Sequence, residues 1–277
     1  MKTSSKKIII TWDFDGPIGL INASYPYNYS FQNLQREIEN ARSILDILDD
    51  YDVKCCFAIT GFSAEEGIYP YSFPELIREI HERGHEIASH SWRHEWSSIF
   101  QLKQVDKSLK RSRYILEKAI ENSQEVIGFV PPHNRPMTWM RRGAFSWGDR
   151  GVYPFFKAAD NESVVDLLRD NGYKWYRVSY KNLLQKFGLG SRNLTGQVKY
   201  YKGIMLLENH YAGFDEKVTK HILETDHDTY TLSAHPLMFD YDNKIENRGN
   251  LLKLLETLKN SNQEIEFVRP IDLIKGN

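Results

Sequence analysis

Carboxylates and imidazoles stand at three points of the 277-residue chain where they could share one reaction. Asp13 and Asp15 are separated by one residue, His90 and His94 by three, and His235 stands before a proline. Two histidines and one carboxylate leave open positions on a divalent ion, which is typical of a catalytic metal site. Such an ion lowers the pKa of water to about 7, a second carboxylate can take the proton, and a separate histidine can protonate a leaving group. The five side chains therefore predict a metal-dependent hydrolase.

Each of these groups follows a short apolar run of the kind that forms a strand. The runs 8–12, 85–90 and 229–234 end at the three groups, and helical patterns such as 34–48 lie between the runs. Strands that alternate with helices predict an α/β fold around a mostly parallel sheet. We expect about seven strands, with the polar side chains gathered at the carboxyl ends, where α/β barrels place their sites.

The composition excludes several classes of partner. Lysine and arginine number 36 and aspartate and glutamate number 37, so the formal net charge is −1. A chain this close to neutral does not predict binding to nucleic acid or to anionic lipid. With 41% hydrophobic and 26% charged residues, the composition is that of a folded globular protein. No apolar stretch approaches the ~20 residues that a transmembrane helix needs.

The start of the chain and its two cysteines favour a cytoplasmic protein. Residues 1–7 are polar and basic and only three isoleucines follow before the first aspartate, so we expect no secretory signal. The adjacent Cys55 and Cys56 cannot build a disulfide framework and are expected to pack as small apolar side chains. A chain of this length could form about two domains, but α/β barrels reach it as one. Residues 1–277 are therefore predicted to be a single catalytic domain.

Four segments extend this prediction to a family. In chain order they are Thr11–Gly16, Gly84–His94, Phe129–Pro132 and Leu232–His235. This order resembles that of the NodB-homology polysaccharide deacetylases, which form carbohydrate esterase family 4, and the resemblance spans roughly residues 6–270. It implies a distorted, incomplete (β/α) barrel, a divalent metal that is usually zinc, and hydrolysis of an acyl amide or ester on a sugar.

The resemblance also implies a role for each matching residue. Asp13 corresponds to the general base and His235 to the general acid. The metal ligands correspond to Asp15, His90 and His94. Ser91, the small hydroxyl residue between the two histidines, corresponds to a residue that supports the ligands. Phe14 separates the two aspartates, a variant of the first motif that relatives also show.

The third segment departs from the family pattern. Val130 stands where the family has an arginine that orients the catalytic aspartate, and Arg135 could restore that charge from a neighbouring position. His133 occupies the position of an aromatic residue. Because the two prolines before it lack N–H groups, His133 is the first residue of the turn that can donate to an oxyanion. The family's fourth motif, an aspartate near a tryptophan, has no counterpart, since Trp175 lacks acidic neighbours.

Two other functions remain open from the residues alone. The run 8–17 is also similar to the opening of haloacid-dehalogenase-type phosphatases, with Asp13 as nucleophile and Asp15 as acid. That alternative would use 148–149 as the acidic element that holds magnesium, and it gives the two histidines of the second segment no role. A non-catalytic carbohydrate-binding relative is the other alternative, because the arginine of the third segment is replaced.

Within the hydrolase interpretation, the expected substrate is an acylated sugar or glycan intermediate in the cytoplasm, most simply an N-acetyl sugar. A deformylase or a cyclic-amide hydrolase on the same barrel would fit nearly as well. The aromatic-rich loops 17–30 and 133–160, with Trp139 in the second, are predicted to determine specificity. Nothing in one sequence indicates the oligomeric state.

Overall fold

The predicted alternation of strands and helices is present in the computed structural model, which describes residues 5–23, 31–97, 100–134, 161–179, 196–240 and 243–274. The strands are β1 (Lys6–Phe14), β2 (Cys56–Ile59), β3 (Glu86–Ser89), β4 (Gly128–Phe129), β5 (Trp175–Val178), β6 (Lys199–Tyr201), β7 (Ile204–Glu208), β8 (Tyr211–Ala212), β9 (Thr229–Ala234) and β10 (Ile265–Phe267). The α-helices are α1 (Gly16–Ala23), α2 (Phe31–Asp50), α3 (Pro74–Glu82), α4 (Leu102–Ala119), α5 (Asn161–Asp170), α6 (Glu216–Glu224) and α7 (Arg248–Lys259). None of these helices has the length and apolarity to cross a membrane.

The sheet curls into an incomplete barrel because its two ends are joined by a very short connection. The strand order is β6-β7-β5-β4-β3-β2-β1-β9-β8, with β10 also paired to β1, and only the β6–β7 pair is antiparallel. Between β7 and β8 the Asn209 N–H donates to the Val178 carbonyl of β5 at 2.9 Å, and the His210 N–H donates to the Thr231 carbonyl of β9 at 3.0 Å. One short segment thus bonds to strands from opposite ends of the sheet. The expected distorted, incomplete barrel is confirmed.

In the described part of the chain the sheet has ten strands rather than the expected seven or so. The strands that the apolar runs did not predict are β6 and β8, which have three and two residues and lie near the ends of the sheet. Strands this short carry too few side chains to show an alternating pattern. Their pairing depends on strands that are distant in the chain.

The predicted loop 17–30 is wrong at its start, because Gly16–Ala23 forms α1. Gly16 adopts φ +64°, which lets the chain turn directly off β1, and Pro17 suits the first turn of a helix. A Cβ on Gly19 would lie 2.8 Å from the Asp15 Cβ, so the glycine permits α1 to pack closely on the strand end. Glycine, proline and asparagine are weak helix formers, which hid this helix from the sequence pattern.

Alternation along β1 separates an outer core from the barrel interior. Ile8, Ile10, Trp12 and Phe14 pack in a cluster with leucines and isoleucines of α2 and α7, whereas Ile9 packs in the interior cluster. The same alternation directs Thr11 and Asp13 inwards. The two cysteines behave as expected, since both are fully buried and free, with Cys55 in the outer cluster and Cys56 in the interior one.

The barrel interior at the amino end of β5 is filled by Trp175, the first residue of that strand. A Cβ on Gly128 would lie 2.1 Å from the Trp175 ring, so β4 requires glycine there. The indole N–H donates to Glu86 Oε1 at 2.6 Å, and the Ile271 N–H donates to Glu86 Oε2 at 2.8 Å. Burial raises the pKa of Glu86 to about 7, while these two hydrogen bonds limit the rise. A carboxyl group is therefore packed inside the apolar end of the barrel.

We expect Glu86→Gln to change how stability depends on pH. A carboxyl with a higher pKa in the folded than in the unfolded protein stabilises the fold below the unfolded pKa, and this contribution disappears as the pH rises through the folded pKa. For Glu86 the contribution is about 3 kcal/mol. Between about pH 4 and about pH 8, the urea unfolding free energy of the wild type should fall by that amount relative to the variant. A constant difference between the two proteins would contradict the assignment.

Candidate active site

Three of the predicted residues converge at the carboxyl edge of the barrel. Asp15 directly follows β1, His90 directly follows β3, and His94 lies in the turn beyond it. The Nε2 atoms of His90 and His94 lie 3.3 and 3.2 Å from Asp15 Oδ1. Both imidazoles are buried, while the side chain of Asp15 is 14% exposed. The ligand atoms of the three residues lie within 4.8 Å of one another.

The chemistry of this cluster fits a divalent metal. His90 Nδ1 lies 2.8 Å from the Val130 carbonyl, which can only accept, so Nδ1 carries a proton and Nε2, which faces Asp15 Oδ1, is the ring nitrogen available to a metal. Asp15 Oδ1 is buried and has no hydrogen-bond partner among the residues that the structure describes. A tetrahedral zinc site with bonds of about 2.0–2.1 Å has ligand-to-ligand edges of about 3.3 Å. The two spacings from Asp15 Oδ1 match those edges, so these three residues could hold such an ion.

The two histidines reach one point because the chain between them is a tight turn rather than a helix. In this histidine loop (residues 90–95), Ser91 and His94 adopt φ values of +63° and +61°. The Ser91 hydroxyl oxygen accepts from the Glu95 N–H at 2.9 Å and so bridges the start and the end of the loop. The geometry is consistent with the supporting position that the resemblance gave to Ser91.

Asp13 is held by an arginine that the sequence analysis did not identify. Arg177 of β5 donates from Nη1 to Asp13 Oδ1 at 2.6 Å and from Nη2 to Asp13 Oδ2 at 2.5 Å, and Nη1 also donates to Thr11 Oγ1 at 2.8 Å. The guanidinium is fully buried inside the barrel. Burial alone would raise the pKa of Asp13, but the charge of Arg177, followed by that of His90, holds it below its usual value. Asp13 is therefore ionised at neutral pH.

Among the described residues the arginine beside Asp13 is thus Arg177. Arg135, which the sequence analysis named as a possible source of that charge, lies outside the described residues. The register pairs Gly128 with Trp175 and Phe129 with Tyr176, so Val130, the residue directly after β4, is in register with Arg177. The positive charge comes from the neighbouring strand at the same height in the barrel. A single charged residue in the buried run Trp175–Val178 is the signal that could have identified it.

His235 is paired with an acid that the sequence analysis also missed. Glu246, in the turn before α7, accepts at Oε2 from the His235 N–H at 2.8 Å and lies 3.0 Å from His235 Nδ1. His235 Nε2 lies 4.0 Å from Asp13 Oδ2. Burial would lower the pKa of His235, but the hydrogen bond and charge of Glu246, then the charges of Asp13 and Asp15, raise it to about 10. The side chain is 38% exposed, so a substrate can reach the ring.

No acidic residue was expected after His235, and Glu246 gave no local signal. It stands among lysine and asparagine residues and reads as part of a solvated turn. Asn243 shapes this turn, because its Oδ1 accepts from the N–H groups of Ile245 at 2.9 Å and Glu246 at 3.1 Å. Among the described residues, the carboxylate hydrogen-bonded to His235 is therefore that of Glu246.

Of the remaining predicted site residues, the structure describes His133. His133, with φ +56°, packs its ring edge-on against His94 at 4.6 Å and against Trp96 at 4.7 Å. It therefore packs as an aromatic ring beside His94. Trp139 and residues 24–30 and 135–160 of the predicted specificity loops lie outside the described residues.

A further buried carboxyl, Glu37 of α2, lies near Asp15. It is 1% exposed. Burial raises its pKa well above the usual value and the charge of Asp15 raises it further, while hydrogen bonds from the backbone N–H groups of Gly16 and Asp15 limit the rise. Its spacing of four residues from the buried Ala41 could have revealed it on the inner face of the helix.

The fold and this arrangement define an α/β-barrel protein with a carboxylate–histidine site at the carboxyl ends of its strands. The family model for polysaccharide deacetylase matches residues 1–148, more than half of the chain. The chain therefore belongs to the polysaccharide deacetylase family, as the resemblance predicted. No curated protein matches it in sequence.

Solved structures of low sequence identity share the fold. A candidate polysaccharide deacetylase from Mycobacterium smegmatis is 17% identical with a TM-score of 0.66, over 99% of this chain and 90% of that one. An allantoinase is 11% identical with a TM-score of 0.65, over 98% and 89%. A peptidoglycan N-acetylglucosamine deacetylase is 14% identical with a TM-score of 0.53, over 99% and 91%. A pseudoenzyme of carbohydrate esterase family 4 from Bacillus anthracis is also similar.

Replacing Arg177 by leucine should destabilise the protein strongly. The change leaves the Asp13 carboxylate buried without its counter-charge, and loss of one partner of a buried ion pair costs about 3–5 kcal/mol. The double variant Asp13→Asn/Arg177→Leu should regain much of that loss, because no unpaired charge remains. Urea unfolding at neutral pH measures both. Equal losses in the single and double variants would show that packing of Arg177, rather than its charge, is what the barrel needs.

Proposed function

We propose that the protein is a divalent-metal-dependent deacetylase that removes an acyl group, most simply N-acetyl, from a sugar or glycan intermediate. The observation that carries the proposal is the cluster of Asp15, His90 and His94 with the ionised Asp13 at the same edge of the barrel. Membership of the polysaccharide deacetylase family supports the reaction type and the class of substrate.

Asp13 acts as the general base in this proposal. The metal, most simply zinc, would supply Lewis acidity that lowers the pKa of water and polarises an acyl carbonyl. Asp13 takes the proton from the attacking water, because Arg177 keeps its carboxylate ionised. The two hydrogen bonds from Arg177 also fix the plane of that carboxylate, so the accepting lone pair does not have to be oriented during the reaction.

His235 acts as the general acid. An amine leaves from a tetrahedral intermediate only once its nitrogen is protonated, and His235 with a raised pKa carries a proton at neutral pH. Glu246 stabilises the imidazolium and orients the ring through Nδ1. In the same proposal, the N–H of His133 is the first backbone donor of its turn available to the developing oxyanion. Ser91 supports the ligand histidines from within the histidine loop.

Several features direct the choice among substrates. The expectation of a cytoplasmic glycan intermediate stays part of the proposal, with specificity assigned to the loops around Arg135 and Trp139. The peptidoglycan deacetylase supports an N-acetyl sugar, whereas the allantoinase, with its higher TM-score, supports a cyclic-amide hydrolase as the second candidate. Family membership argues against a phosphatase that would use Asp13 as nucleophile. The pseudoenzyme relative makes catalysis the first property to measure.

Variants of the ligands and of the base should separate metal binding from catalysis. Alanine at Asp15, His90 or His94 should remove bound zinc and hydrolysis together, because each removes one ligand. Asp13→Asn should retain zinc and lose about 10²–10⁴-fold in kcat, as expected for a lost general base. Metal content is measured by elemental analysis of purified protein.

Turnover is screened on N-acetyl, O-acetyl and N-formyl sugars, a cyclic amide and a phosphatase substrate. Wild-type protein that binds zinc but hydrolyses none of the acyl compounds would favour the non-catalytic alternative. Turnover of the cyclic amide alone would favour the second candidate.

Glu246→Gln should move the alkaline limb of the pH–rate profile to lower pH. The carboxylate is the main group that raises the pKa of His235, so the neutral amide should let that pKa fall. Loss of a neighbouring opposite charge shifts a pKa by about 1–3 units. The acid form would then be lost at a lower pH, while metal content should not change. An unaltered limb would remove His235 from the role of general acid.

A further inference from the structure

Three backbone N–H groups of the histidine loop donate to side-chain oxygens, while its Ser91 and Trp92 carbonyls accept from the N–H groups of Gly61 and Phe62 at 2.9 and 2.8 Å. The Trp92 N–H donates to Ser108 Oγ of α4 at 3.0 Å, and the Arg93 N–H donates to Glu95 Oε2 at 2.7 Å. The Glu95 N–H donates to Ser91 Oγ at 2.9 Å. Three backbone donors of a five-residue stretch thus depend on side chains rather than on a strand or a helix.

Ser108 and Glu95 join these bonds into one network. The Ser108 hydroxyl accepts from the Trp92 N–H and donates to Glu95 Oε2 at 2.9 Å. Glu95 Oε2 therefore accepts two hydrogen bonds, one from the loop backbone at Arg93 and one from α4. Ser108 is 6% exposed, so water competes little for its bonds. The start of the loop is held separately, because Ser112 Oγ donates to the Ser91 carbonyl at 3.0 Å.

The loop needs such support because its backbone is strained at both ends. Ser91 and His94 both have positive φ, a region where a residue with a Cβ is disfavoured. A strained conformation persists only where surrounding contacts hold it. If the loop relaxed, the position of His94 Nε2, 3.2 Å from Asp15 Oδ1, would change with it. His94 itself has positive φ, whereas the ring of His90 is anchored by the Val130 carbonyl.

We propose that Glu95 and Ser108 are positioning residues for the metal ligand His94. They hold the end of the histidine loop against α4, so that the imidazole is already in place before a metal binds. This inference rests on the proposed function, since it concerns the same metal site. It assigns a role in metal affinity to two side chains outside the set that contacts the ion.

The test is metal affinity, measured by chelator competition with zinc on the purified full chain. Replacing a group that supports a ligand typically weakens metal binding by about 10–100-fold. We expect Glu95→Ala and Ser108→Ala each to raise the zinc Kd by that factor. Glu95→Gln should stay close to wild type, because its amide oxygen can accept the same two hydrogen bonds. The thermal midpoint of the metal-free variants shows whether the fold itself has been lost.

Glu65→Ala is the matched control. Glu65 lies beside the same loop, but it accepts from the Trp92 and Arg111 side chains rather than from the loop backbone. Its variant should keep the wild-type zinc Kd. A loss as large as that of Glu95→Ala would overturn the proposal, because the effect would then follow from charge or packing near the loop.

The absorption spectrum of bound cobalt(II) would not change if Glu95 and Ser108 only stabilised the fold. Visible bands of bound cobalt report its coordination, so a displaced His94 should alter them in Glu95→Ala and Ser108→Ala at saturating metal, whereas Glu95→Gln should match wild type. Unchanged affinity and spectra in both alanine variants would overturn this inference and leave the proposed function intact. Absence of metal binding by the wild type would overturn both.

Discussion

The paired charges of Asp13 and Arg177 constrain the half of the barrel that lies toward the carboxyl ends of β1 and β5. A guanidinium that is fully buried must have a counter-charge and hydrogen-bond acceptors nearby, since an unpaired charge in an apolar interior is too costly to keep. Asp13 supplies the charge and Thr11 supplies a further oxygen. The neighbouring strands contribute small side chains, Ala58 and Ala88, to the interior cluster. The buried ion pair makes this end of the interior polar, whereas Trp175 fills the other end.

The same constraint prepares Asp13 for chemistry. An arginine with two bonds to a carboxylate fixes its plane and lowers its pKa, so the group is ionised and oriented without any contribution from a ligand. On the opposite side, Glu246 holds a proton on His235. The alternation of charge from Arg177 through Asp13 and His235 to Glu246 keeps a base and an acid 4.0 Å apart without neutralising both. Such separated pKa values are typical of catalytic pairs.

Two of these four groups come from unexpected places in the chain, and the barrel explains why. The carboxyl ends of the parallel strands meet at one rim, so a side chain of a given type can be supplied to one point by different strands or loops. Arg177 lies one strand away from Val130 at the same height, and Glu246 approaches His235 from the turn before α7. A motif residue that is missing from the sequence can thus be replaced by a side chain of the same type from another segment. Whether the site is complete therefore depends on which side chains meet in the folded protein.

The amino-acid sequence by itself determined the alternation of strands and helices, the family, and the identity of Asp13, Asp15 and the histidines of the site. Those features depend on local periodicity and on short motifs, which are present in any one stretch of chain. Only the tertiary structure decided that Arg177 partners Asp13, 164 residues away, and that Glu246 partners His235. It also showed that helix α1 and the two-residue strand β8 form, although the residues of α1 do not favour a helix and those of β8 are too few to indicate a strand. Each of these features arises from contacts between distant segments, and a linear pattern does not record which segments come together.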